Sequence, residues 1–214
     1  MRASPSCSIR GLYAITPDEL NTATLLQKVE LVLRGGAQVL QYRNKLADDE
    51  LRFTQAAALR DLTDKFAKIL IINDDVSLAL QVDADGVHLG SEDGSVAEAR
   101  QCLSNDKIIG VSCYNRFELA QRAAQQGADY VAFGAFFASS VKPNAPVATL
   151  ELLHQARREL SVPIVAIGGI TLHNCKQLLA ASADALAVIS AVFDATDIQN
   201  TAQQFSTLFS ERTK

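Results

Sequence analysis

No stretch of this chain approaches the roughly 20 consecutive apolar residues that span a bilayer. Residues 1–10 also lack the apolar core of an export signal, so the expectation is a cytoplasmic protein with no membrane partner. Cysteine is sparse and scattered: Cys7, Cys102, Cys113 and Cys175 form no Cys-x-x-Cys pair. That argues against structural zinc and fits reduced thiols. Positive charge is in deficit, with 20 Lys and Arg against 24 Asp and Glu, a net charge of -4. A general nucleic-acid binder needs a basic face, so nucleic acid is not an expected partner. No Ser-His-Asp or Cys-His arrangement stands out, no Gly-x-Gly-x-x-Gly follows the first apolar run, and no linker or low-complexity segment interrupts the chain.

What is present is a regular alternation. Short apolar runs fall at 11–15, 38–42, 69–72, 86–89, 108–111, 130–133, 163–167 and 185–189. Several are rich in Val and Ile, as parallel strands buried on both faces tend to be. Between them lie amphipathic stretches at 20–34, 48–66, 116–126, 150–160 and 198–209. Strands alternating with helices predict right-handed βαβ units and a parallel sheet. A weak repeat marks the joints: Ala84-Asp85-Gly86-Val87, Ala128-Asp129-Tyr130-Val131 and Ala183-Asp184-Ala185-Leu186, with Gly36-Ala37-Gln38-Val39 as a looser copy. Eight such units in 214 residues predict a single-domain α/β protein, a compact (β/α)₈ barrel over residues 10–214. Residues 1–9 are expected to be a flexible tail, and the polar stretch 136–149 a mobile loop on the active face.

In such a barrel the active face is formed by the C-terminal strand ends and the loops after them. Gln41, Arg43 and Lys45 alternate at the end of the second run, which puts an amide and two cations on one side. Position alone fits a solvated strand exit equally well. Two carboxylates tilt the balance: Asp74, after Ile71-Ile72-Asn73, and Asp93, just past Val87-His88-Leu89-Gly90. Each has an ordinary alternative as a turn or helix-start residue, and Asp75 beside them is expected to be an exposed helix cap. Together with Lys142 they form the set that would hold a polyphosphate with Mg²⁺. Ser112 ends the fifth run, and Gly168-Gly169 and Ile189-Ser190 follow the seventh and eighth. Loops after strands 7 and 8 are the usual phosphate site of this fold, so two phosphorylated substrates are implied. His88, within an apolar run, reads as a packed, hydrogen-bonded core residue; His154 and His173 read as helical and exposed.

Taken in order, these motifs resemble the thiamine-phosphate synthase (thiamine-phosphate pyrophosphorylase) family. The family's Q-x-R-x-K stands as Gln41 to Lys45, its I-N-D as Ile72-Asn73-Asp74, its G-V-H-L-G-x-x-D as Gly86 to Asp93, and its A-I-G-G-I as Ala166 to Ile170. The resemblance runs from Gly11-Leu12-Tyr13 to Ala191-Val192-Phe193. It implies a transferase that joins 4-amino-5-hydroxymethyl-2-methylpyrimidine diphosphate to 4-methyl-5-(2-hydroxyethyl)thiazole phosphate, giving thiamine phosphate and pyrophosphate. By the same resemblance, Gln41, Arg43, Lys45, Asn73, Ser112 and Lys142 would contact the pyrimidine diphosphate. Arg43, Lys45, Ser112 and Lys142 would be the catalytic members, and Asp74 and Asp93 would hold Mg²⁺. Ser139, Ser140, Val141, Gly169, Ile189 and Ser190 would take the thiazole phosphate. Four departures stand out: Ser139-Ser140-Val141 replaces a common T-x-T, Asp75 a common Arg, Ser91 a common Gln, and Asn44 a common Glu. Two other readings are carried forward. One is a related barrel that isomerises a thiazole carboxylate phosphate; the other is a non-catalytic module that binds thiamine phosphate. A homo-oligomer is left open.

Overall fold

The computed structural model describes residues 9–90, 93–138 and 147–211. Ser139, Ser140, Val141 and Lys142, most of the expected 136–149 loop and residues 1–8 of the expected tail lie outside the described residues. Ile9, at the tail's boundary, is buried among the residues that fill the barrel.

Eight parallel strands close on themselves in sequence order, with the last pairing the first. They are β1 (Gly11–Ile15), β2 (Val39–Tyr42), β3 (Ile69–Asn73), β4 (Gly86–Leu89), β5 (Ile108–Tyr114), β6 (Tyr130–Phe133), β7 (Ile164–Ile167) and β8 (Ala185–Val188). Around them lie α1 (Thr22–Arg34), α2 (Asp49–Lys65), α3 (Val76–Gln81), α4 (Val96–Cys102), α5 (Phe117–Gln125), α6 (Leu150–Glu159), α7 (Cys175–Ala180), α8 (Ser190–Phe193) and α9 (Ile198–Glu211). Helix starts carry local caps: the side chains of Asn21, Asp48, Asp75 and Thr149 each accept a first-turn N–H, and Ser95 with Glu98 forms a capping box. The expected (β/α)₈ barrel is therefore what the chain forms.

Alternation along each strand divides the apolar residues into two cores. One set, including Leu12, Leu40, Leu70, Ile72, Val131 and Leu186, faces the helices. The other, including Ile15, Val39, Ile71, Ile108, Tyr130 and Val165, fills the barrel. Tyr130 crosses the interior against β5, where a Cβ on Gly110 would overlap its ring. Glycine is therefore required at 110 by close approach.

The Ala-Asp repeat has a structural cause. Asp85, Asp129 and Asp184 open the even strands β4, β6 and β8. Each accepts the backbone N–H of a residue on the preceding odd strand: Leu70 at 2.7 Å, Ile109 at 2.7 Å and Ile164 at 2.8 Å. Each returns its own N–H to that residue's carbonyl. The same carboxylates pair with Arg60, Arg100 and Arg157 from α2, α4 and α6. At the fourth position, ahead of β2, Gln38 keeps the backbone half, donating its N–H to Leu12, and its side chain accepts from Lys68 instead.

Burial ranks the three clamps, because a charge that loses a partner costs more where water is excluded, although Arg60 would keep Asp64 as a second partner. Side-chain exposure is 8% for Arg60, 21% for Arg100 and 36% for Arg157. Asp85→Ala is expected to lower unfolding stability by about 2–4 kcal/mol, with Asp129→Ala and Asp184→Ala costing progressively less in urea denaturation. An equal or reversed order would remove burial of the arginine as the cause.

Candidate functional site

The exit of β2 is built, not loose. Thr16, just past β1, exchanges two hydrogen bonds with Arg43: its hydroxyl donates to the Arg43 carbonyl at 2.7 Å and accepts the Arg43 N–H at 2.8 Å. Asp18 takes the Arg43 guanidinium on both oxygens, at 3.1 and 3.2 Å, and also accepts the Lys45 backbone N–H at 2.7 Å. Behind them Asn44 is buried, donating to the Glu19 carbonyl and to Gln55, while its oxygen accepts from Leu46 and Ala47. Gln55 also accepts the Tyr42 hydroxyl, whose pKa burial pushes up to about 12. Gln41 points into the barrel, whereas Arg43 and Lys45 reach over the rim. Thr16, Asp18 and Gln55 were not singled out from the sequence; a lone Thr and Asp after a first strand carry no distinguishing pattern.

The two carboxylates meet at the neighbouring exits. Asp74 follows β3 with φ +65°, a left-handed backbone that Asp tolerates better than most side chains, and its N–H is fixed to the His88 carbonyl at 2.8 Å. Its carboxylate accepts from Lys45 Nζ at 2.6 Å. Asp93 accepts the Gly90 N–H at 2.8 Å and is hydrogen-bonded to Asp74. Burial pushes the Asp93 carboxyl up, and its hydrogen bond with Asp74 acts in the same direction. Burial raises Asp74 too, but its hydrogen bonds with Lys45 and Asp93 outweigh that and leave it below the usual carboxylate range. Two carboxylates in contact disfavour charge on each other, and a cation held between them would relieve that repulsion. Among the described residues no group of three or more His, Cys, Asp or Glu gathers as a metal cage. A two-carboxylate site suits Mg²⁺, whose other positions are usually taken by water and substrate phosphates.

Two expectations change here. Asp93 does not start α4: Ser95 does, with its capping box. Asp75 caps α3 as expected but is half-buried, because Arg52 of α2 reaches across to it at 2.5 Å. Arg52 thereby lines a cavity of about 310 Å³, together with Arg43, Lys45, Asn73, Asp74 and Asp93. Nothing in the sequence marks Arg52, which looks like an ordinary helix-surface charge.

Ser112 sits inside β5, not at its end. The strand runs on to Tyr114 through a register shift after Ser112. Such irregularities re-aim side chains near sites, and a one-residue shift leaves no mark in an apolar pattern. The Ser112 hydroxyl lies 2.8 Å from His88 Nε2.

Gly168 and Gly169 follow β7 with φ +100° and +61°. A Cβ on either would strike the chain leaving β6, at Ala135 for Gly168 and at Phe137 and Ala138 for Gly169. Phe137 donates its N–H to the Gly168 carbonyl at 3.1 Å, and Asn174 donates to the Gly169 carbonyl at 2.9 Å. Ile189 and Ser190 open α8 directly after β8, and β7 and β8 are paired neighbours. The first turn of a helix has N–H groups without intrahelical acceptors, so this corner is suited to an anion. Gly169 thus lies against Phe137 and Ala138, and Ile189 and Ser190 follow the strand that pairs with β7.

The fold agrees with that of known proteins. A family model described as thiamine monophosphate synthase matches residues 12–192. The chain is 58% identical over 201 residues to a thiamine-phosphate synthase of Methylobacillus flagellatus, covering 94% of this chain and 96% of that one. It is 55% identical to a thiamine-phosphate synthase of an Azoarcus species, covering 94% and 98%. The solved structure of a thiamine phosphate pyrophosphorylase from Pyrococcus furiosus superposes with a TM-score of 0.85 at 35% identity, covering 94% of this chain and 96% of that one. The chain belongs to the thiamine monophosphate synthase family.

Proposed function

We propose that this protein is a working thiamine-phosphate synthase, coupling a pyrimidine diphosphate to a thiazole phosphate with Mg²⁺, in the cytoplasm. The observation that carries the reading is the cluster of Arg43, Lys45, Asp74 and Asp93 around one cavity at the exits of β2, β3 and β4. An isomerase acting on a single thiazole phosphate has no need of such a set. A binding module freed from turnover would be expected to lose its paired carboxylates first.

The chemistry follows from charge. The bond from the pyrimidine methylene carbon to the diphosphate oxygen breaks, and the oxygen leaves with the electron pair. The methylene cation, stabilised by the ring's amino group, is captured by the thiazole nitrogen. No covalent nucleophile is required; the demand is neutralisation of the leaving group and alignment of the two rings. Arg43 and Lys45 meet the diphosphate from one side, and Lys142 is assigned to the other. Asn73 and Ser112 would orient it through hydrogen bonds, with Gln41 below. Asp74 and Asp93 would hold Mg²⁺, which when bound adds positive charge against the departing pyrophosphate. Ser139, Ser140, Val141, Gly169, Ile189 and Ser190 are assigned to the thiazole phosphate, with Val141 acting through its backbone. At rest Arg43 leans on Asp18 and Lys45 on Asp74, so both cations are held in place before the substrate arrives.

The direct test is synthesis of thiamine phosphate by purified protein from both substrates and Mg²⁺, with product read as fluorescent thiochrome. Product that disappears with EDTA is expected; none from folded protein would send the reading to the isomerase or the binding module. Asp93→Ala is expected to abolish metal-dependent turnover with the circular dichroism spectrum unchanged; full turnover in that variant would take Asp93 out of the metal site. Arg43→Lys should lower kcat/KM for the diphosphate by roughly tenfold, because Arg43 rests on Asp18 through Nη1 alone and keeps its other donors for an anion, whereas a lysine has one nitrogen for both. A loss confined to the thiazole substrate would reassign Arg43.

A further inference from the structure

Beneath the active face, a line of hydrogen bonds runs through the barrel. Gln41 Nε2 donates to the Tyr13 hydroxyl at 2.8 Å. The Tyr13 hydroxyl lies 2.8 Å from that of Tyr130, which lies 2.9 Å from His88 Nδ1. His88 Nε2 lies 2.8 Å from Ser112 Oγ. Five residues from β1, β2, β4, β5 and β6 are thus joined end to end. Both tyrosines are fully buried, and burial pushes both phenols well above their ordinary pKa, so each keeps its proton and has one to donate. The His88 and Tyr130 rings also stack, with centroids 5.6 Å apart.

The direction of the line follows from counting protons. The Tyr13 oxygen accepts from Gln41, so its own proton is free to go to Tyr130. Tyr130 then gives its proton to His88 Nδ1, leaving the imidazole proton on Nε2 to be donated to Ser112. In the reverse order the buried Tyr13 proton would have no acceptor within the line, a cost typical of an unmade buried hydrogen bond. We infer that His88 is a positioning residue, held by Tyr130 as the Nε2–H tautomer, and that it occupies the Ser112 oxygen so that the Ser112 hydroxyl can only donate toward the active face. A donor is what an anionic leaving group requires, so Ser112 is set for the diphosphate before it binds. A second hydroxyl polarity, with Ser112 donating to His88, would turn a lone pair toward the anion. This inference rests on the reading that the face takes a diphosphate.

The tautomer can be observed without turnover. The full chain is labelled with ¹⁵N-histidine and its long-range ¹H–¹⁵N correlations recorded. His154 and His173 are exposed, and replacing each by Gln assigns His88 by elimination. The expected His88 signals are a protonated Nε2 and an unprotonated Nδ1; a protonated Nδ1 overturns the inference, whether or not thiamine phosphate is made. Tyr130→Phe removes the hydroxyl that fixes the tautomer. It should mix the His88 tautomers and lower kcat roughly tenfold, the scale of one hydrogen bond to a charged group, with KM for the diphosphate changing less. In a Ser112→Ala background the same change should leave kcat within about twofold, since mutations in one network are not additive. A full tenfold drop there would mean that His88 and Tyr130 act on the reaction by some route other than Ser112. Absence of product from wild type would overturn the proposed function and leave the tautomer result to stand by itself.

Discussion

A closed sheet has no edge, and in a barrel of parallel strands every strand must leave by the same rim. That constraint sets the rest of the molecule. It gathers residues far apart in sequence, Arg43, Asp74 and Asp93 among them, without any of them having to be adjacent in the chain. It also encloses an interior that must be filled by side chains from all eight strands. In this chain the interior is filled mostly by aliphatic residues, with Gln41, His88 and Ser112 as polar members joined through Tyr13 and Tyr130. The ring of Tyr130 fits because Gly110 gives up its side chain.

The rim is electrostatically balanced before anything binds. Arg43 rests on Asp18, Lys45 on Asp74, and Arg52 on Asp75. Such partly exposed pairs contribute little to stability. Their value lies in holding flexible cations at fixed positions, so that less side-chain entropy is lost when an anion arrives. The pair of Arg52 with Asp75 also answers a local question. An acid at position 75 places negative charge beside a carboxylate site, and Arg52 offsets it from the neighbouring helix.

Much of this was legible from the sequence, for a physical reason. Strands buried on both faces must be apolar, so all eight runs stood out, and the long helices showed their amphipathic period. The short helices α3, α7 and α8 did not, because one or two turns are too few to display a period of 3.6. The rim motifs were legible only in combination: each charge at the end of an apolar run has an ordinary explanation, but cations and carboxylates gathered at neighbouring exits do not. What was missed depends on three-dimensional pairing. Asp18, Thr16 and Arg52 are unremarkable until the chain brings Arg43 and Asp75 to them. Tyr13 and Tyr130 stand within apolar runs of the sequence, yet each also presents a hydroxyl to the barrel interior.

The fourth, incomplete copy of the strand-entry clamp has its own consequence. Gln38 cannot offer the carboxylate that Asp85, Asp129 and Asp184 provide, and it is over this turn that α9 lies. A Cβ on Gly35 would meet Gln199 and Ala202, and one on Gly36 would meet Ser206. The weakest of the four joints is thus covered by a helix instead of tied by charge. During synthesis the first βα unit emerges early, whereas its cover is made after all eight strands. The earliest joint to be made is thus the last to be covered.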